Sequence, residues 1–219
     1  MTQANDEAGV GTAYTYDFRG LLLSVTLAAG TTQQVTTVYG YDEVGNEISQ
    51  MDAAGRTTKF QYDALGRRTG RTLPGGQSES FAYDAAGDPI YHTNFSGVII
   101  TNQYDVASRL TNCSAPGYQV VYGYGTNGLR TNMVDASGST RYTYDGLNRL
   151  TNKVVNWTGG KSVTLNYKYD ALGSLTNLWS STGNGVTNVY QYDALGRLTG
   201  VMASNVAAAA YGYDVVGNL

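Results

Sequence analysis

The chain has 219 residues, 14% of them charged, with a net charge of −3. So few cations offer no basic field for nucleic acid, and no apolar run approaches the roughly 20 residues of a membrane-spanning helix. The single cysteine, Cys113, excludes a disulfide within the chain, and 28 Gly and 19 Tyr against 3 Pro favour strands joined by tight turns.

Residues 1–13 open with "MTQANDEAGV", which has neither the basic nor the apolar part of a secretory signal. They read as a flexible N-terminal segment. Residues 14–219 then repeat one phrase, of the type Tyr-Asp-x-x-Gly, beginning at Tyr16, Tyr41, Tyr62, Tyr83, Tyr144, Tyr169, Tyr192 and Tyr213. Two weaker copies, "YDVASRLT" from Tyr104 and "YGTNGLRT" from Tyr124, fill the gap. The ten copies step by 20 to 25 residues, and the last is truncated. Self-similarity at such a period signals construction by repetition.

Each piece of the phrase has a structural task. Asp at the head of a turn caps a backbone N–H two residues on, and Gly takes the left-handed conformation that closes the bend. Asp17, Asp42, Asp63, Asp84, Asp145, Asp170, Asp193 and Asp214 are therefore assigned to turns, with Gly45, Gly66, Gly87, Gly173, Gly196 and Gly217. Before nearly every turn stands an aromatic pair at spacing two, such as Phe60/Tyr62 or Tyr190/Tyr192. Alternation along a strand puts both rings on one face. Seventeen of the nineteen Tyr occupy these slots, so the rings form a ladder. A second Gly-containing turn falls about midway between copies, as in "DAAGR" near Gly55 and "DASGS" near Gly138. Two turns per repeat mean two strands per repeat. The expected fold is all-β, a long antiparallel meander of hairpins with about 20 strands, with "NVAAAAYGYD" read as strand rather than helix.

The Asp column invites a calcium or acid–base reading. Successive copies lie two strands apart, about 10 Å, too far to share an ion whose ligands sit at about 2.3–2.6 Å. Turn capping is the better account, and neither a metal nor a cofactor is expected. The Tyr ladder has two readings: rings packed on one sheet face, or exposed platforms for a sugar or protein partner. The candidate ligand-binding residues are Tyr62, Tyr83, Tyr144, Tyr169 and Tyr192. Arg67, Arg109, Arg149 and Arg197 follow their turns and are placed to pair with the neighbouring Asp. A row of Asn112, Asn132, Asn152 and Asn177 suggests side-chain hydrogen bonding. His92 and Cys113 lack the neighbours that would complete a nucleophilic triad.

"YDALGRLT" at Tyr192–Thr199 and "YDGLNRLT" at Tyr144–Thr151 resemble the YD repeat family, also called RHS repeats, over nearly the whole chain. The resemblance implies a strip of hairpins that curves or spirals into the wall of a hollow shell, as in RHS toxins, insecticidal toxin complexes and teneurins. It also implies a secreted or cell-surface location as part of a larger protein, and carbohydrate binding for some members. The single Asp-Pro pair, Asp88–Pro89, is not followed by the family's self-cleaving core pattern, so no protease activity is carried over. The sequence thus reads as a non-catalytic structural module, or alternatively as a carbohydrate- or protein-binding module. Its partners are the rest of a larger repeat protein or another copy through open edge strands, with no nucleic acid and no membrane insertion.

Overall fold

The computed structural model describes residues 2–5, 11–182, 185, 187–204 and 206–218. The chain is an all-β antiparallel meander. It divides into two units, residues 1–108 and 109–219. The first holds β1 (Thr2–Asn5), β2 (Gly11–Tyr16), β3 (Leu22–Ala29), β4 (Val35–Tyr41), β5 (Glu47–Met51), β6 (Thr57–Tyr62), β7 (Arg68–Thr72), β8 (Ser78–Tyr83), β9 (Pro89–Thr93) and β10 (Ile99–Tyr104). The second holds β11 (Leu110–Ala115), β12 (Tyr118–Tyr124), β13 (Arg130–Asp135), β14 (Gly138–Tyr144), β15 (Leu150–Trp157), β16 (Ser162–Tyr169), β17 (Leu175–Ser180), β18 (Thr187–Tyr192), β19 (Leu198–Ala203) and β20 (Val206–Ala210). The segment 1–13 contributes β1, which pairs with β2 from Thr2↔Tyr14 to Asn5↔Gly11.

Within each unit a strand contacts only the strands that precede and follow it in sequence. Each unit is therefore a strip of sequentially paired strands among the described residues. The consequence is a sparse core. Val120, 5% exposed, is the one buried apolar side chain among the described residues. The accessible surface is 14017 Å², where a compact chain of this mass exposes about 9,700 Å². Backbone ladders and half-buried cross-strand rows carry the stability that a closed core would otherwise supply.

Side chains alternate between the faces as the pair spacing requires. Tyr62, Tyr83, Tyr144, Tyr169 and Tyr192 are half-buried, while the residue before each (Gln61, Ala82, Thr143, Lys168, Gln191) is exposed. On the aromatic face of the second unit, a cross-strand row runs Tyr122↔Met133↔Thr140↔Val155↔Val163. In the first unit the equivalent rows include Phe60↔Arg71↔Glu79 and Phe81↔His92↔Ile100.

Register is interrupted at the same point after nearly every Tyr-Asp turn. In β6–β7, Gln61 opposes Gly70 but Tyr62 opposes Arg68, leaving Thr69 as an extra residue. The same shift leaves out Thr131, Thr151, Thr176 and Thr199. Each is a β-bulge, which bends the strand and raises its twist. Two of these threonines donate back across the bulge, Thr151 Oγ1 to the Thr143 carbonyl and Thr176 Oγ1 to the Lys168 carbonyl, both at 3.1 Å. The recurrent Thr of "RLT" therefore sits where an extra residue exposes a carbonyl.

Candidate functional site

The turns carry the densest polar chemistry of the molecule. In the turn after Tyr62, the Asp63 carboxylate accepts through Oδ1 from the N–H groups of Leu65 (2.9 Å) and Arg67 (3.0 Å). Its Oδ2 accepts from Arg67 Nε at 2.7 Å. The backbone closes with Gly66 N–H to the Asp63 carbonyl and Asp63 N–H to the Arg67 carbonyl. Asp145 with Arg149 and Asp193 with Arg197 repeat the arrangement. Asp170 and Asp84 accept the same backbone N–H from residue i+4, and Asp42 and Asp214 replace the Arg with an Asn amide. In Asp17 the partners are the N–H groups of Arg19 and Leu21.

Gly45, Gly66, Gly87, Gly173, Gly196 and Gly217 all have positive φ, between 75° and 96°. Two copies close without Gly: Ser108 and Asn148 hold the same position at φ 56° and 62°. Asn tolerates this region better than other L-residues because its short amide bonds locally.

These contacts fix the charge state of the turns. The Arg67, Arg149 and Arg197 N–H groups hold the carboxyls of Asp63, Asp145 and Asp193 below the usual carboxylate range, aided by the adjacent guanidinium. The carboxylates are thus ionised, bonded inward and occupied. Among the described residues no group of three or more His, Cys, Asp or Glu is gathered to hold a metal ion.

The tyrosines of the Tyr-Asp phrase link one repeat to the previous one. The Tyr83 hydroxyl donates to the Arg68 carbonyl at 2.8 Å, Tyr144 to Arg130 at 2.9 Å, Tyr169 to Leu150 at 3.0 Å and Tyr192 to Leu175 at 2.9 Å. Burial pushes the Tyr62, Tyr144 and Tyr192 phenols above their ordinary value. The ring faces are also engaged. Arg67 lies 4.7 Å from the Tyr83 ring centre, Arg149 4.9 Å from Tyr169 and Arg197 4.6 Å from Tyr213, a cation–π geometry. Arg149 completes the link by donating Nη1 to the Asp170 carbonyl at 3.1 Å, as Arg67 does to Asp84 at 3.0 Å. One guanidinium thus clamps its own Asp, the next Tyr ring and the next turn. Sequence spacing indicated the Asp partner, while the two contacts to the following repeat depend on the lateral alignment of turns.

Tyr91 and Tyr118, the two tyrosines outside the pair slots, are exposed at 48% and 54%, and of the tyrosines in the pair slots Tyr16 is exposed at 46%. Two asparagines of the row bond to residues outside it: Asn152 Nδ2 donates to Asn166 Oδ1 at 2.6 Å, and Asn112 accepts from Gln119 at 3.3 Å. His92 stacks on Phe81, ring centres 4.6 Å apart. Its Nε2 lies 3.3 Å from Glu79, a buried carboxylate whose other oxygen is 2.7 Å from Arg71 Nε. Glu79 therefore serves a cross-strand ion cluster. Cys113 opposes Val120 in β11–β12 and is half-buried.

Comparison with known proteins places these features. Residues 41–78 and 124–161 match the RHS repeat model. A search of the curated proteins finds no match. Among solved structures, the crystal structure of TcdB2-TccC3-TEV aligns over 96% of this chain with a TM-score of 0.76 and 19% identity. TcdB2-TccC3 without its hypervariable C-terminal region aligns over 89% at 0.70 and 19% identity. The Tc holotoxin pore of Photorhabdus luminescens aligns over 93% at 0.66 and 18% identity. The likeness at this identity is one of fold. The chain spans 12–14% of the length of these proteins.

Proposed function

We propose, from a chain whose residues 41–78 and 124–161 are RHS repeats, that it forms a non-catalytic length of wall in the shell of a larger secreted or surface protein of toxin or adhesin type. The observation that carries this reading is the strip: among the described residues each strand contacts only its sequence neighbours, and Val120 is the one buried apolar side chain. Such a sheet gains nothing as a free globule and much as one segment of a continuous strip. The Asp, Arg and Tyr side chains that looked most reactive in sequence are bonded to backbone and to each other, which suits them to holding repeats at fixed spacing. The partner is then the remainder of the repeat protein, joined through the outer edges of β1 and β20.

The wall reading is tested by lengthening the chain. Each added Tyr-Asp repeat should raise stability by a similar increment, because stability in repeat arrays sums over repeats and their interfaces. No turnover should appear at any length. A substrate turned over by the chain and lost in Asp193→Asn, with folding intact, would overturn it.

A second reading, binding of a carbohydrate or protein partner, is favoured by the exposed rings of Tyr16, Tyr91 and Tyr118. Tyr118 lies beside a groove lined by Gln119, Val121, Val134 and Asp135. A glycan array with Tyr118→Ala and Tyr169→Ala variants separates the possibilities: sugar affinity lost in either supports binding, and none detected leaves the wall.

A further inference from the structure

In the second unit, the pairing of β12 with β13 ends at Val121↔Val134. The hairpins on either side run on past that point, β11–β12 to Ala115↔Tyr118 and β13–β14 to Asp135↔Gly138. Their ends are thus unpaired with each other, and a groove of about 610 Å³ lies there, with Tyr118, Gln119, Val121, Val134 and Asp135 among its lining. Its apolar walls face solvent: Tyr118 is 54% exposed, and Val121 and Val134 are 40% exposed. Asp135 supplies the charge. Its Oδ1 accepts from the N–H groups of Ser137 (2.8 Å) and Gly138 (3.2 Å) and from the Ser137 hydroxyl. The Ser137 hydroxyl, and then its N–H, hold this carboxyl below the usual carboxylate range, so it is ionised at neutral pH. Among the described residues, nothing bonds to Asp135 Oδ2 and no Lys or Arg lies within ion-pair distance of it.

We propose, resting on the second reading above, that this groove binds an arginine side chain presented by a protein partner. The repeats themselves show what a carboxylate and a Tyr ring do together. At Asp63, Asp145 and Asp193, Oδ2 takes an Arg Nε at 2.6–2.7 Å, and the same guanidinium lies 4.6–4.9 Å from a Tyr ring centre. Asp135 and Tyr118 bring the same two groups to one groove, and this chain places no guanidinium on that carboxylate. Charge selects the ligand. A neutral group would cover the Asp135 carboxylate without pairing it, which costs free energy. A cation gains both the ion pair and the ring face. Arginine suits the site better than lysine, because its planar fork can meet a carboxylate while lying flat on a ring. Its methylene stem suits the apolar wall of Val121 and Val134. The volume leaves room for residues on either side of the arginine, so the ligand is a segment of a protein rather than a free cation.

The test is an NMR titration of the full chain with the peptide acetyl-Gly-Arg-Gly-amide, set against the same peptide with citrulline, which keeps the shape and loses the charge. The arginine peptide should bind about tenfold more tightly, and its affinity should fall with added salt. Asp135→Asn keeps the Oδ1 acceptor for Ser137 and Gly138 and should abolish the preference for arginine. Tyr118→Leu should weaken the arginine peptide about threefold. Should Asp135→Asn lose its fold by circular dichroism, the salt dependence and the citrulline comparison on wild type read the same contact. The proposal is overturned if the arginine peptide does not bind, if the two peptides bind alike, or if folded Asp135→Asn keeps the preference. A neutral peptide or sugar that binds as tightly, and is lost in Tyr118→Ala, leaves the second reading standing and overturns this one.

Discussion

Removing the hydroxyl of Tyr169 tests whether the tyrosines bind repeat to repeat. That hydroxyl donates to the Leu150 carbonyl of the preceding repeat at 3.0 Å. Phe in its place keeps the ring, and Arg149 stays over it because the guanidinium is held independently by Asp145 and the Asp170 carbonyl. One hydrogen bond is therefore deleted and little else. A net intramolecular bond contributes about 0.5–1.5 kcal/mol, and a fully buried orphan acceptor would cost more. Leu150 and Tyr169 are half-buried, so water reaches the freed carbonyl and the loss should be about 1 kcal/mol. That corresponds to a fall in Tm of about 2–4 °C for a chain of this size. Urea titration followed by circular dichroism, at constant m, measures it against Tyr118→Phe, whose exposed ring lies outside the ladder and should change nothing. If Tyr169→Phe and Tyr118→Phe give the same midpoint, the hydroxyl is not a link between repeats and the account of the ladder is wrong.

Three further outcomes are expected. Gly196→Val should cost about 1–2 kcal/mol from backbone strain alone, because a Cβ there meets nothing within 4 Å while φ is 75°, whereas Asn148→Gly, at the same slot, should change stability by less than about 1 kcal/mol in the same denaturant assay, since relief of the positive φ offsets the lost bond from Asn127 Nδ2. Asp63, Asp145 and Asp193 have carboxyls depressed in the folded state, so their contribution is complete above the unfolded value near 3.9 and is lost as pH falls below it; Tm should drop steeply in that acid range, and a flat profile would contradict the capping geometry. Tyr62, Tyr144 and Tyr192 are shifted the opposite way, so their contribution is complete below about pH 10 and is lost as pH rises through the higher folded values; phenolate absorbance should appear later in the folded chain than in urea.

The repeat period, the hairpin count and the face of each ring follow from sequence because they are local. Asp-x-x-Gly makes its turn within five residues, and alternation assigns Tyr62 and Phe60 to one side whatever lies beyond. Three features depended on the folded sheet. The bulge at Thr69, Thr151, Thr176 and Thr199 is defined only against the opposing strand, although the recurrence of Thr after Leu or Arg was its trace. The clamp of Arg149 on Tyr169 and Asp170 joins residues about twenty apart, which meet only when successive turns stack along one edge. The sparse burial of the strip, with Leu147, Leu172 and Leu195 exposed at its turns, came from tertiary structure alone. Apolar content reports how much surface a chain can bury, while the folded chain decides whether anything is there to bury it.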